Sequence, residues 1–104
     1  MDALQVIAEP RRREILRLVW DRELSAGAIA AEFDVSFAAV SQHLGVLRDA
    51  RLVRLRRDGR FRFYRADRAA LGDLRPALEL MWTGQLDRLA HLAEKEERRS
   101  VEQP

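Results

Sequence analysis

Residues 36–65 read SFAAVSQHLGVLRDARLVRLRRDGRFRFYR, and the period of their apolar residues changes partway along. Over residues 36–50 Val40, Leu44 and Leu47 recur at i, i+4 and i+7, a spacing that gathers them on one face of a helix. Ser36 stands where a hydroxyl can cap the first turn. Past Leu52 the period falls to two. Val53 and Leu55 alternate with Arg54 and Arg56, then Phe61 and Phe63 alternate with Arg60 and Arg62, around Asp58-Gly59. A helix over 36–50 followed by a hairpin over 52–66 is therefore predicted. A two-residue loop, 58–59, would pair Leu55 with Arg62. A three-residue loop, 58–60, pairs Leu55 with Phe63, keeps like opposite like, and is the register expected.

Charge is distributed as unevenly as periodicity. Arg48 to Arg68 hold nine arginines against three aspartates and no glutamate, a local +6, whereas the whole chain carries only +2. Like charges across a strand pair repel unless an external polyanion relieves them, and arginine suits bidentate contact with phosphate and guanine. On helix 36–50 the half opposite Val40 carries Ala38, Ser41, Gln42, Gly45 and Asp49, taking about 100° per residue. Small or hydrogen-bonding groups near the N-terminal end are what a helix needs to approach base edges in a major groove. A surface helix and a solvated arginine face explain each feature singly; their adjacency favours double-stranded DNA as partner. The candidate contacts are Ser36, Phe37, Ala38, Ser41, Gln42 and His43 on the helix, with Arg56, Arg57, Arg60 and Arg62 on the hairpin. His43 lies at the edge of the buried face and reads as a partly buried structural histidine whose second nitrogen is left for backbone or phosphate.

The flanks supply the frame. A short stripe, Leu4, Val6 and Ile7, ends near Glu9-Pro10. Pro10 opens a helix running to about residue 21, with Ile15, Leu16, Leu18 and Val19 inward and the arginines 11–13, 17 and 22 largely opposite. Ser25 caps a helix bearing Ile29, Ala30 and Phe33, before Asp34-Val35 break the period; Asp34 suits a left-handed turn. From Pro76 to Arg98, Leu78, Trp82, Leu86, Leu89 and Leu92 follow a spacing of three and four, which predicts one long helix. It offers more apolar surface than a small domain buries, so self-association is expected through Leu4, Ile7, Leu78, Trp82, Leu86 and Leu89. One domain over 1–99 and a disordered tail, 100–104, complete the organisation.

With 104 residues the chain suffices for a single core. Its apolar runs are too short to cross a bilayer and its N-terminus lacks the order of a secretory signal, so no membrane association and a cytoplasmic address are expected. There is no cysteine, and His43 and His91 are the only histidines. His91-x-x-Glu94 falls short of the four ligands a closed zinc site wants, so no metal or cofactor is expected. No nucleophile–base pairing or Gly-rich phosphate loop supports catalysis.

Three stretches resemble the ArsR family of bacterial winged-helix repressors. They are Ala8-Glu9-Pro10-Arg11-Arg12-Arg13-Glu14-Ile15-Leu16, Val35-Ser36 through Leu47, and Asp58-Gly59-Arg60 with Tyr64-Arg65. The resemblance implies a mostly α protein with a small β-hairpin: a winged helix-turn-helix with N- and C-terminal dimerisation helices. It further implies a homodimer that binds an imperfect palindrome and represses transcription until some signal, an unidentified effector, releases it. Departures accompany the matches. Where metal-sensing members carry D-x-H before H-x-x-E, this sequence has Leu78 and Leu80. Gly45 stands where a lysine or arginine is common. Arg51 replaces the helix-ending glycine, so the turn into the first wing strand is strained or built differently. Phe37 lies where a polar residue is frequent, which leaves open that it packs rather than touches DNA. Two alternatives remain: a metal-responsive repressor with a dimer-assembled site, and a winged-helix protein-interaction module.

Overall fold

Side-chain caps start the helices of the first compact unit, Met1–Gly72. The computed structural model describes residues 1–84 and 91–96. Asp2 accepts from the Gln5 N–H at 2.8 Å while Gln5 Oε1 accepts from the Asp2 N–H at 3.0 Å, a reciprocal box that opens α1 (Ala3–Ile7). Glu9 accepts from the Arg12 N–H at 3.0 Å and Pro10 takes the first position of α2 (Pro10–Leu18). The Ser25 and Ser36 hydroxyls each accept an N–H at 3.1 Å to open α3 (Ala26–Ala30) and α4 (Phe37–Asp49).

α2 and α3 pack on α4, whose Val40, Leu44 and Leu47 are buried as their spacing requires. α2 ends at Leu18 rather than near residue 21. The Val19 carbonyl leaves the helix to accept from the Ala66 N–H at 2.9 Å, tying helix to sheet. The α3–α4 turn also differs from expectation. Asp34 is not left-handed: among the described residues the only non-glycine with positive φ is Arg51. The turn instead tightens through i→i−3 bonds, Glu32 N–H to the Ile29 carbonyl and Phe33 N–H to the Ala30 carbonyl, both 3.1 Å.

At the end of α4, Arg51 takes φ +62°. The Leu52 N–H reaches the Leu47 carbonyl at 3.0 Å and the Arg51 N–H reaches the Arg48 carbonyl at 2.9 Å. This is the Schellman arrangement, with buried Leu52 as its apolar closure and an arginine where glycine is usual.

The sheet has three antiparallel strands in the order β1 (Leu24–Ser25), β3 (Phe61–Ala66), β2 (Val53–Asp58). β1 extends the predicted hairpin. Pairing runs Asp58↔Phe61, Arg57↔Arg62, Arg56↔Phe63, Leu55↔Tyr64 and Val53↔Ala66. The loop is therefore Gly59-Arg60, and Leu55 faces Tyr64, one residue beyond the expected partner Phe63 and two beyond Arg62. Gly59 sits first in it at φ +60°, as a type II′ turn requires. The correction follows from which residues face inward. Tyr64 and Ala66, buried opposite Leu55 and Val53, occupy the core side, which puts Phe61 and Phe63 on the outer face.

The second unit begins at Asp73, after a 3₁₀ turn, Arg68–Leu71. Its helix α5 (Leu74–Trp82) buries Leu78 and exposes Leu80 and Met81. The single helix expected over 76–98 is interrupted: α5 caps at Thr83, Gly84 adopts φ +73°, and residues 91–96 are helical again. A left-handed glycine just past the cap is an ordinary helix stop. Leu86, Leu89 and the tail 100–104 lie outside the described residues. No described helix is long and apolar enough to cross a membrane.

Candidate nucleic-acid interface

Phe37, Ala38, Ser41 and Gln42 are all exposed on α4, within its first two turns. Ser36 spends its hydroxyl on the cap. His43 is half-buried, with Nδ1 3.8 Å from Glu9 Oε2. Glu9 is itself the cap of α2, and the arginines after it serve the preceding helix. Arg12 Nε donates to the Val6 carbonyl at 2.7 Å, and Arg13 Nη1 donates to the Ile7 and Ala8 carbonyls at 3.0 Å. The Ala8–Leu16 motif is thus a joint in which Glu9 covers free N–H groups of α2 and two guanidinium groups cover free carbonyls of α1. Spacing alone puts these arginines on the side of α2 opposite its apolar stripe and does not reveal their carbonyl partners.

The hairpin has two faces of different electrostatic character. Its outer face carries Arg54 opposite Arg65 and Arg56 opposite Phe63, and these arginines are engaged within the chain. Arg56 Nε lies 3.1 Å from both Glu23 carboxylate oxygens, and Nη2 lies 2.7 Å from Oε1. Its Nη1 is 3.7 Å from Asp58, and its guanidinium stands 4.6 Å over the Phe63 ring. The hydrogen bond from Arg56 holds the Glu23 carboxyl below the usual glutamate range. Arg54 reaches Asp67 at 3.4 Å and Arg65 donates to the Asp21 carbonyl at 3.3 Å. Nothing local in the sequence signals these partners.

The other face ends differently. Beyond Leu55 and Tyr64 it places Arg57 directly opposite Arg62, a like-charge pair. Among the described residues Arg57, Arg60 and Arg62 have no acidic partner. Arg60 lies 5.6 Å over the Phe61 ring. A cleft of about 480 Å³ between α4 and this part of the wing is lined by Phe37, Ser41, Arg60, Phe61, Arg62 and Tyr64, among others. Four residues singled out in the sequence, Phe37, Ser41, Arg60 and Arg62, therefore share one concave surface, while Arg56 is turned toward Glu23.

Of the residues expected to mediate self-association, Leu4 is exposed and Trp82 partly buried, whereas Ile7 and Leu78 are buried within the chain itself.

A helix-turn-helix whose second helix runs into a small antiparallel sheet with an arginine-rich wing defines a winged helix-turn-helix DNA-binding protein. Residues 9–54 match the bacterial regulatory protein, arsR family. The HTH-type transcriptional regulator Rv2034 of Mycobacterium tuberculosis is 40% identical over 94 residues, 90% of this chain and 88% of that protein. The transcriptional repressor SdpR of Bacillus subtilis is 33% identical over 69% of this chain and 80% of its own. A crystal structure described as a possible transcriptional regulator for arsenical resistance superposes with a TM-score of 0.68 at 45% identity, covering 88% of this chain and 95% of that one. The chain belongs to the ArsR family of bacterial transcriptional regulators, DNA-binding proteins rather than enzymes.

Proposed function

We propose that this regulator is a cytoplasmic homodimeric repressor that binds an imperfect palindromic operator and is released by an effector. α4 lies in the major groove with Phe37, Ala38, Ser41 and Gln42 at base edges and the Ser36 cap beside the backbone. Arg57, Arg60 and Arg62 bind phosphate, and His43, oriented by Glu9, presents its other nitrogen to the DNA backbone. Arg56 braces the wing through Glu23 instead of contacting DNA. The observation that carries this reading is the trio Arg57, Arg60 and Arg62, without an acidic partner among the described residues and beside the exposed start of α4, whereas Arg54 and Arg56 are paired with carboxylates and Arg65 donates to a backbone carbonyl. Self-association rests on exposed Leu4 and on the Trp82, Leu86 and Leu89 spacing of the sequence.

The test is an operator titration on DNA selected from a random duplex library. Gln42→Ala should cost about 1–3 kcal/mol on the selected site and little on random DNA, as expected for a base contact. Leu86→Glu with Leu89→Glu should yield monomers by light scattering and lose the selected site, because one half-site replaces two spaced about 34–36 Å apart. Unchanged sequence preference in Gln42→Ala, or a monomer that binds at full affinity, contradicts the proposal.

A further inference from the structure

Phe37 is the first residue of α4 and leaves 56% of its surface in water. Phe37 is not among the buried residues of the core, and among the described residues it makes no ring contact. Phe61, the other exposed ring of the cleft, differs: Arg60 covers it at 5.6 Å and Phe63 lies 6.3 Å away. Phe37 shares the cleft with Ser41, one turn on, and with Arg60 and Arg62. An apolar group thus stands among hydrogen-bonding and cationic groups, at the end of the helix that comes nearest to base edges.

In the major groove only one base edge of unmodified DNA is apolar, the C5 methyl of thymine, and phenyl contact is one way proteins read it. We propose that Phe37 is a specificity-determining residue that reads a thymine methyl group in the operator. The inference rests on the placement of α4 in the major groove proposed above. Arg60 and Arg62 set how closely the helix approaches by gripping the backbone, Ser41 is left to hydrogen-bond a neighbouring edge, and Phe37 makes a thymine at its position preferable to a base pair that offers only polar groups there.

The test removes the methyl and nothing else. Duplex selected from a random library is resynthesised with each thymine replaced singly by deoxyuridine and titrated with wild type, Phe37→Ala and Phe37→Leu. At one thymine per half-site uracil should weaken wild-type binding about fourfold for the lost methyl. Phe37→Ala should bind the thymine and uracil duplexes equally, with an unchanged salt slope because no charge is lost. Phe37→Leu should keep most of the discrimination, since leucine also presents apolar surface. If no position shows a uracil penalty in wild type, or if Phe37→Ala keeps the penalty, the inference is overturned while DNA binding stands. Failure to select any duplex would overturn the DNA-binding placement and this inference with it.

Discussion

Truncating the wing arginines one at a time should divide them into two groups that their sequence positions do not distinguish. Arg56 and Arg57 are neighbours, yet Arg56 is held by Glu23 at 2.7 Å and by Asp58 at 3.7 Å, whereas Arg57 faces Arg62 with no acidic partner among the described residues. If Arg57 takes one phosphate in each protomer, Arg57→Ala removes two contacts per dimer. Each contact supplies about 0.9 of the slope of log K against log salt. The slope should therefore flatten by about 1.8, and affinity at 0.15 M salt should fall about fivefold per contact, or roughly thirtyfold per dimer. Random and selected DNA should lose comparably, because phosphate carries no sequence information. Arg62→Ala should behave alike. Arg56→Ala should leave the slope within about 0.5 of wild type, since its charge is already offset. Fluorescence anisotropy over a series of salt concentrations reads both quantities. Equal flattening by Arg56→Ala and Arg57→Ala would refute the division of the wing into a braced and a DNA-facing side.

Two predictions concern the supports of the interface. Arg51→Gly should stabilise the protein by about 0.5–1 kcal/mol, the relief of a left-handed L-residue less glycine's entropy in the unfolded chain, whereas Arg51→Ala should gain nothing; urea denaturation checks both, and equal stability of the two variants would contradict the account of this turn. Because Arg56 holds the Glu23 carboxyl below the usual range, the stability from this pair is present above the unfolded-state glutamate value and is lost as pH falls through the lowered one. An NMR titration of the Glu23 side chain should show its midpoint rising in Arg56→Ala, and an unmoved midpoint would exclude the pairing.

What could be read from the sequence depended on how locally each feature was encoded. α4 was legible because Ser36, Val40, Leu44 and Leu47 state a cap and one face within a single helix. The hairpin was legible as a hairpin but not in register. Residues 61–66, FRFYRA, are apolar at 61 and 63 and again at 64 and 66, so the alternation changes parity between Phe63 and Tyr64. Only the packing of the inner face chooses Tyr64 and Ala66. β1 has two residues, too few for any period, and the Glu23–Arg56 pair joins positions 33 apart. At Gly84 the stop signal was present in the sequence, but the leucine spacing on either side suggested continuity across it. Arg51 could be noticed as a departure from a family glycine; that an arginine itself occupies the left-handed position required coordinates.

The central claim, that uncompensated wing arginines bind a DNA backbone beside α4, is tested most directly by the salt dependence of wild-type affinity for duplex DNA. Three such arginines per protomer make six phosphate contacts in a dimer, so log K should fall against log salt with a slope of about −5. A slope shallower than about −1 would contradict the account, because binding would then proceed without the counterion release that those contacts demand.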